Sequence, residues 1–396
     1  MPQGSKGGTA GSGKVVWALG TTQTIAWASS YYLPAVLVDP IARDLGLPAD
    51  GILAAFSFAL VMSALVSPAV GRLIDRAGGR GVLCASNVVL ACGLALLASA
   101  QGAVAMTAAW ALLGLGMGMG LYDSAFAALA RAYGSAACRP ITGITLIAGF
   151  ASTIGWPITA ALDAAFDWRT ACLFWAFVHV LVCLPLNRML LPDARHGSSG
   201  IAASGPNPKA TPQEMKVMYL LAFAFAAAWF VTGAMATHLP RILQAGGATP
   251  AQAIAFASLV GPAQVAARLA EFALIKHLQP VHTARFAASL HSVGVLALSV
   301  LGPPGMAVFA VLHGAGNGLL TIAKGTVPLA LLGPVGYGYR QGWISAPARL
   351  TQASSPLLFG LLVTSYGADA LRFSAALTLI ACGALLLLRA PGLKPD

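Results

Sequence analysis

The chain has 396 residues, 58% of them hydrophobic and only 9% charged, with a mean hydropathy of +0.78. Soluble domains carry about 25% Asp, Glu, Lys and Arg, so 23 basic and 12 acidic side chains are too few to clothe a soluble surface, while the apolar content excludes disorder. What remains is an all-α polytopic membrane protein with spanning helices of roughly 20 residues each. The formal net charge of +11 would suggest nucleic acid in a soluble chain, but in a membrane protein basic residues collect in cytoplasmic loops. No nucleic-acid partner is expected.

In chain order, residues 1–14 read as a Gly-rich, disordered cytoplasmic tail. The apolar run behind it is too long for a signal peptide and lacks a clear small-residue cleavage site, so it reads as an uncleaved anchor. Apolar runs at about 15–38, 51–73, 81–101, 103–130, 139–162 and 169–191 make a first six-helix half, 15–191. The Pro/Gly/Ser-rich segment 192–214 reads as a cytoplasmic linker. Runs at about 215–238, 250–275, 282–302, 304–332, 341–364 and 368–389 make a second half, 215–389, and 390–396 is a second cytoplasmic tail. Continuous apolar runs favour helices over barrel strands, which alternate, and the expected total is twelve transmembrane helices.

With the N-terminus inside, sixteen basic residues fall in cytoplasmic segments: Lys6, Lys14, Arg72, Arg76, Arg80, Arg131, Arg139, Arg188, Arg195, Lys209, Lys216, Lys276, Arg285, Arg340, Arg389 and Lys394. Four fall outside: Arg43, Arg169, Arg241 and Arg372. This asymmetry places both termini in the cytoplasm of an inner (plasma) membrane. The six cysteines form no CxxC pair and lie in or beside apolar runs, where Cys acts as a small hydrophobe; no metal site or cofactor is expected. No P-loop is present, so ATP does not drive the chain directly.

The halves repeat each other. Pro40 and Gly46 match Pro240 and Gly246, Phe56 matches Phe256, GMGMGLYD from Gly116 echoes GAGNGLLT from Gly314, and the Gly143/Pro157 spacing recurs at Gly342/Pro356. The offsets of 200, 198 and 199 point to a duplicated six-helix unit, an arrangement in which transporters place substrate between repeats. The series Gly114, Gly116, Gly118, Gly120 sits within an apolar run with no strand before it. It reads as a G-x-x-x-G packing face and not as a dinucleotide loop.

After the second run the sequence is Gly71-Arg-Leu-Ile-Asp75-Arg76-Ala-Gly78-Gly-Arg80. This resembles the loop 2–3 signature of the major facilitator superfamily, G-x-x-x-D-R-x-G-R-R, with Arg80 displaced by one position. Gly71 permits close helix contact, and Asp75 with Arg76 can pin a neighbouring helix end at a cytoplasmic gate. The resemblance covers the whole chain and implies the major facilitator fold, with two six-helix halves rocking around a central site. The helix 1 exit, YYLPAVLVDPIARDLGLP, and Gln264-Val-Ala-Ala-Arg268 resemble the monocarboxylate porter and oxalate–formate antiporter branch, as does a basic residue, Arg349, in the eleventh run. Gln264 stands where the animal monocarboxylate porters carry an acid, a departure that speaks against a proton relay at that position.

Five charges remain within apolar runs: Arg268, Lys324, Arg349, Asp123 and Glu271. A charge at a helix centre costs roughly 2.5–3.5 kcal/mol on translocon scales and normally faces a cavity or a partner. By the superfamily pattern all five fall on cavity-lining or adjacent helices. Arg presents a planar fork for a carboxylate, so Arg268 and Arg349 are candidates for binding a small organic anion, set against the reading that each only supports packing. Gln264, Tyr31, Asn317 and His313 are further candidate binding residues, and Trp27, Tyr32 and Gln23 are candidates to line the path. Asp123 and Lys324 are candidates for coupling and gating as an ion pair with Asp123 taking a proton, or Asp123 pairs with Arg131. Glu271 pairs with Lys276 or orients Arg268 from i+3.

The expected function is secondary transport by alternating access of a mono- or dicarboxylate-like anion, proton-coupled or by exchange, with no enzymatic activity. Two alternatives stand, a drug or metabolite efflux permease and a transporter-like sensor without turnover. The partners expected are a small anionic substrate, protons and the lipid bilayer, and the chain is expected to act as a monomer.

Overall fold

A computed structural model describes residues 8–192, 210–275 and 279–388. Among them the secondary structure is helical and holds no strand. Lys6, Arg195, Lys209, Lys276, Arg389 and Lys394, and most of the tails and linker, lie outside the described residues.

Helix α1 (Gly8–Ser29) begins inside the segment 1–14 and ends before α2 (Pro34–Leu45). Then come α3 (Ala49–Ala77), α4 (Gly79–Ala98), α5 (Ala103–Gly120) and α6 (Tyr122–Tyr133), a 3-10 turn (Gly134–Ala137), α7 (Cys138–Ala148) and α8 (Ala151–Ala165). Helix α9 (Trp168–Val178) runs through a π segment (His179–Cys183) into α10 (Leu184–Leu190). After the linker come α11 (Pro212–Ala245), α12 (Pro250–Ser258) and α13 (Val260–Ala270), the last followed by a second π segment (Glu271–Ile275). The chain closes with α14 (Pro280–Leu301), α15 (Gly305–Leu332), α16 (Tyr337–Tyr366) and α17 (Ala370–Leu386). Helix α11 starts within segment 192–214 because Thr211 and Glu214 form a capping box in front of its apolar stretch, satisfying otherwise orphaned amides.

Nine helical stretches among the described residues are long and apolar enough to cross a membrane. Two of them, Ala103–Ala165 with 63 residues and Tyr337–Leu386 with 50, are long enough for more than one crossing of roughly 20 residues. The distribution of side chains is the inverse of a soluble protein. Leu65, Val104, Phe177, Leu296 and Leu357 are exposed, while Arg268, Lys324 and Arg349 are buried. A lipid exterior makes the first set stable, and this is an integral membrane protein.

The chain divides into two compact units. The first holds the described residues up to 192 together with Pro334–Gly342, and the second holds the remainder, so the division falls inside α16. Each unit is packed through small residues. In the first, a Cβ on Gly118 would meet the Ser63 carbonyl of α3 at 3.1 Å, Gly114 lies against Ala59, and Gly116 faces Leu90 of α4. In the second, Gly314 and Gly318 would meet the Val260 and Gln264 carbonyls of α13 at 2.5 Å, and Gly316 faces Leu290 of α14. Such closeness replaces the hydrophobic drive that lipid does not supply. These partners set Gly114, Gly116 and Gly118 against Gly314, Gly316 and Gly318, an offset of 200, whereas the sequence echo suggested 198. Glycines at alternate positions match in either register, and packing selects one.

Candidate functional site

In the first unit, Asp75 lies on the last turn of α3. Its Oδ1 accepts from the Gly338 amide and its Oδ2 from the Tyr339 amide, each at 2.8 Å. These are early amides of α16, which lack intrahelical acceptors and sit at the positive end of the helix dipole. A carboxylate borrowed from another helix therefore caps α16. Gly71 makes the approach possible, because its backbone lies directly against that of Gly338, and a side chain on either would collide. The Arg72 guanidinium lies over the Tyr339 ring at 4.7 Å. Of the signature residues, Asp75 and Gly71 meet the helix end, Arg80 is half-buried and Arg76 is exposed.

Asp123, in the first turn of α6, is buried and accepts from Gln341 Nε2 at 3.1 Å. Gln341 belongs to the same opening segment of α16 that Asp75 caps. Gln341 was not among the residues expected from the sequence, although a signal for it is present. Gln341, Ser345, Arg349 and Gln352 are buried on α16 at spacings of four, four and three, a polar stripe along one helical face.

Helix α5 stops at Gly120, and Leu121 adopts an extended conformation (φ −80°, ψ −172°) before α6 begins. Two side chains take up the carbonyls this break frees. Gln23 Nε2 donates to the Gly120 carbonyl at 2.6 Å, and Ser124 Oγ donates to that of Gly118 at 2.9 Å. Beside the break stands a set of rings. Trp27 lies 5.1 Å from Tyr31, 5.9 Å from Tyr32 and 4.9 Å from Tyr122 between centroids.

In the second unit, Arg268, Lys324 and Arg349 are 6%, 6% and 7% exposed. Arg268 reaches along α15, its Nε to the Gly318 carbonyl and its Nη2 to Thr321 Oγ1, each at 3.4 Å. These contacts are longer than the usual 2.7–3.2 Å. The Lys324 ammonium lies 4.9 Å over the Trp229 ring. Glu271 opens the π segment three residues beyond Arg268 and is half-buried; its other expected partner, Lys276, lies outside the described residues. Gln264 is half-buried on α13. Asn317 Oδ1 accepts from Thr232 Oγ1 at 3.1 Å.

His313 meets His291 with Nδ1 to Nδ1 at 2.9 Å, and His291 Nε2 meets Ser374 Oγ at 2.9 Å. Ser374 donates its hydroxyl proton to the Leu371 carbonyl, so His291 donates from Nε2 and, as a neutral ring, accepts at Nδ1 from His313. The pair ties α14, α15 and α17 together. Among the described residues no three His, Cys, Asp or Glu side chains assemble to hold a metal ion.

The profile of the Major Facilitator Superfamily matches residues 19–323. A 38 kDa protein in the 23S RNA operon of Thermoproteus tenax is 27% identical over 352 residues, 84% of this chain and 91% of that protein. Among solved structures, the human organic anion transporter MFSD10 (TETRAN) superposes with a TM-score of 0.66 at 17% identity, covering 94% of this chain and 99% of that one. At that identity the likeness is one of fold.

Proposed function

We propose a cargo from one premise: the chain belongs to the Major Facilitator Superfamily and is a membrane transporter of small molecules, not an enzyme. The proposed cargo is a small organic anion, mono- or dicarboxylate-like. It moves by alternating access of two six-helix halves, with proton coupling or anion exchange, across an inner membrane with both termini cytoplasmic.

The observation that carries this reading is the burial of three cations, Arg268, Lys324 and Arg349, in the second unit. Charged groups inside a membrane protein normally face a cavity or a partner and mark the substrate path. Arg268 and Arg349 supply the forks for a carboxylate, Lys324 adds long-range attraction from its seat on Trp229, and Gln264 and Asn317 set orientation. Asp123 is the proposed proton acceptor. The human fold neighbour is itself named an organic anion transporter, which agrees in cargo class.

The test is a thermal-stability screen of the purified protein against mono- and dicarboxylates, phosphate-like oxyanions and lipophilic drugs, repeated with Arg268→Ala. A ligand at a hundred times its Kd stabilises by about 2.7 kcal/mol, so a bound carboxylate raises the Tm of the parent and leaves the variant unmoved. Stabilisation of both proteins by a lipophilic cation, with none from any anion, overturns the reading. Counterflow in proteoliposomes separates a transporter of the stabilising anion from a sensor that only binds it.

A further inference from the structure

The break between α5 and α6 brings together two polar atoms that neither the helix packing nor the anion site accounts for. Gln23 is 2% exposed, and its Nε2 must face the Gly120 carbonyl, because a carbonyl only accepts. That bond fixes the amide and turns Oε1 away from the break, where it has no hydrogen-bond partner among the described residues. One helical turn later on the same face of α1, Trp27 Nε1 is also buried without a partner. The face thus offers one acceptor and one donor, side by side, and burying such atoms unpaired is unfavourable.

Their surroundings are aromatic. The Trp27 ring is packed by Tyr31, Tyr32 and Tyr122, Tyr122 stacks on Phe126 at 5.3 Å with planes 9° apart, and Tyr31 abuts Phe56 at 5.6 Å. Ring faces and edges of this kind favour flat or apolar groups. In the repeat register of 200, Gln23 and Trp27 correspond to Phe223 and Ala227, and Gly120 to Leu320 within the unbroken α15. The pair, the break and the ring set therefore belong to one unit alone, as a feature shaped for an asymmetric ligand would.

We propose that Gln23 and Trp27, walled by Tyr31 and Tyr122, form a subsite in the first unit for a ring-bearing cargo that carries a donor–acceptor group, a hydroxyl or a carboxamide. Gln23 Oε1 accepts from that group and Trp27 Nε1 donates to it. This rests on the anion reading for the charge of the cargo and deepens it: the cargo is an aromatic carboxylate with a polar substituent, not a bare short-chain acid.

The experiment measures the binding of benzoate, 4-methylbenzoate, 4-hydroxybenzoate, 4-carbamoylbenzoate and cyclohexanecarboxylate to the purified full chain by titration calorimetry, in the parent, Trp27→Phe, Gln23→Met and Arg268→Ala. Phenol and benzamide serve as uncharged probes. A site built to hydrogen-bond a substituent rejects the analogue lacking it, so the parent prefers 4-hydroxy- or 4-carbamoylbenzoate over 4-methylbenzoate by about tenfold or more. Which of the two binds more tightly identifies the group. Trp27→Phe keeps the ring and loses the donor; in it, as in Gln23→Met, the preference falls below about threefold while benzoate affinity persists, which also shows that the variants are folded. Equal affinity for the 4-methyl and both polar benzoates in the parent overturns the subsite and leaves Gln23 and Trp27 with a resident water only. A preference that survives both substitutions overturns it as well. If phenol or benzamide binds and loses affinity in Trp27→Phe while no carboxylate binds, the anion reading fails and the subsite stands.

Discussion

Gln341 Nε2 donates to Asp123 Oδ1 at 3.1 Å, and Gln341 lies only two residues beyond Tyr339, whose amide is held by Asp75. The opening turn of α16 thus reports to two acids of the first unit at once, one at the end of α3 and one inside the span that contains α6. If Asp123 is the proton acceptor, Asp123→Asn keeps an oxygen for Gln341 and removes only the titration. The expected result in proteoliposomes is that counterflow persists within about threefold while uptake driven by a pH gradient is lost, the difference being proton chemistry and not fold. Retention of pH-driven uptake in Asp123→Asn removes Asp123 from the coupling scheme.

Asp75 is a different test, because both of its oxygens are used by backbone amides. Hydrogen bonds to a charged group contribute about 1.5–3 kcal/mol each, so Asp75→Ala lowers unfolding stability in detergent by about 3 kcal/mol. Asp75→Asn does no better than Ala, since its amide presents one oxygen and one N–H to two donors. An Asn variant with parental Tm and transport rate would show that charge at this helix end is dispensable.

Asp167 caps α9 from outside the spans, its Oδ1 accepting from the Thr170 amide at 2.6 Å. The amide and hydroxyl of Thr170 hold its carboxyl below the ordinary Asp value of 3.8. A depressed folded-state value means that the stabilisation is present in full above the unfolded-state value and is lost as pH falls through the folded one. Between pH 6 and pH 3 the parent therefore loses more Tm than Asp167→Ala does, and the two curves converge at the acid end. Parallel curves across that range would show that the cap contributes nothing that titrates.

Class and family were legible because both rest on local pattern. Scarce charge with long apolar runs can only be a polytopic protein, and the Gly71 to Arg80 signature stands in one stretch of sequence. The glycine face of α5 was legible as packing for the same reason. Where the pattern faltered, the deciding partner lay far along the chain. No periodicity announces that α5 stops at Gly120, since the run from 103 to 130 stays apolar through the break and Gln23, ninety-seven residues away, satisfies the freed carbonyl. Asp75 and Arg76 were expected to pin a helix end; Asp75 holds the Gly338 and Tyr339 amides, atoms which every sequence possesses and none advertises, while Arg76 is exposed. Gln341 was legible in principle from its spacing to Ser345 and Arg349 and was obscured by the stronger signal of the arginine.

The repeat register makes a last prediction about packing. A Cβ added at Gly318 would lie 2.5 Å from the Gln264 carbonyl and 3.0 Å from its Cα, both backbone atoms of α13, whereas one added at Gly383 meets nothing within 4 Å. Overpacking of this kind costs about 1–3 kcal/mol, and replacing an unconstrained helical glycine gains up to about 1 kcal/mol. Gly318→Ala is therefore expected to lower the Tm and Gly383→Ala to hold or raise it. The substitution at Gly318 also moves the carbonyl that Arg268 Nε approaches at 3.4 Å, so it weakens carboxylate binding as well as stability. Gly118→Ala, its counterpart against Ser63 in the first unit, shares the loss of Tm. A Gly318→Ala protein with parental Tm and parental carboxylate affinity would mean that α13 and α15 are not held at this distance by their small residues.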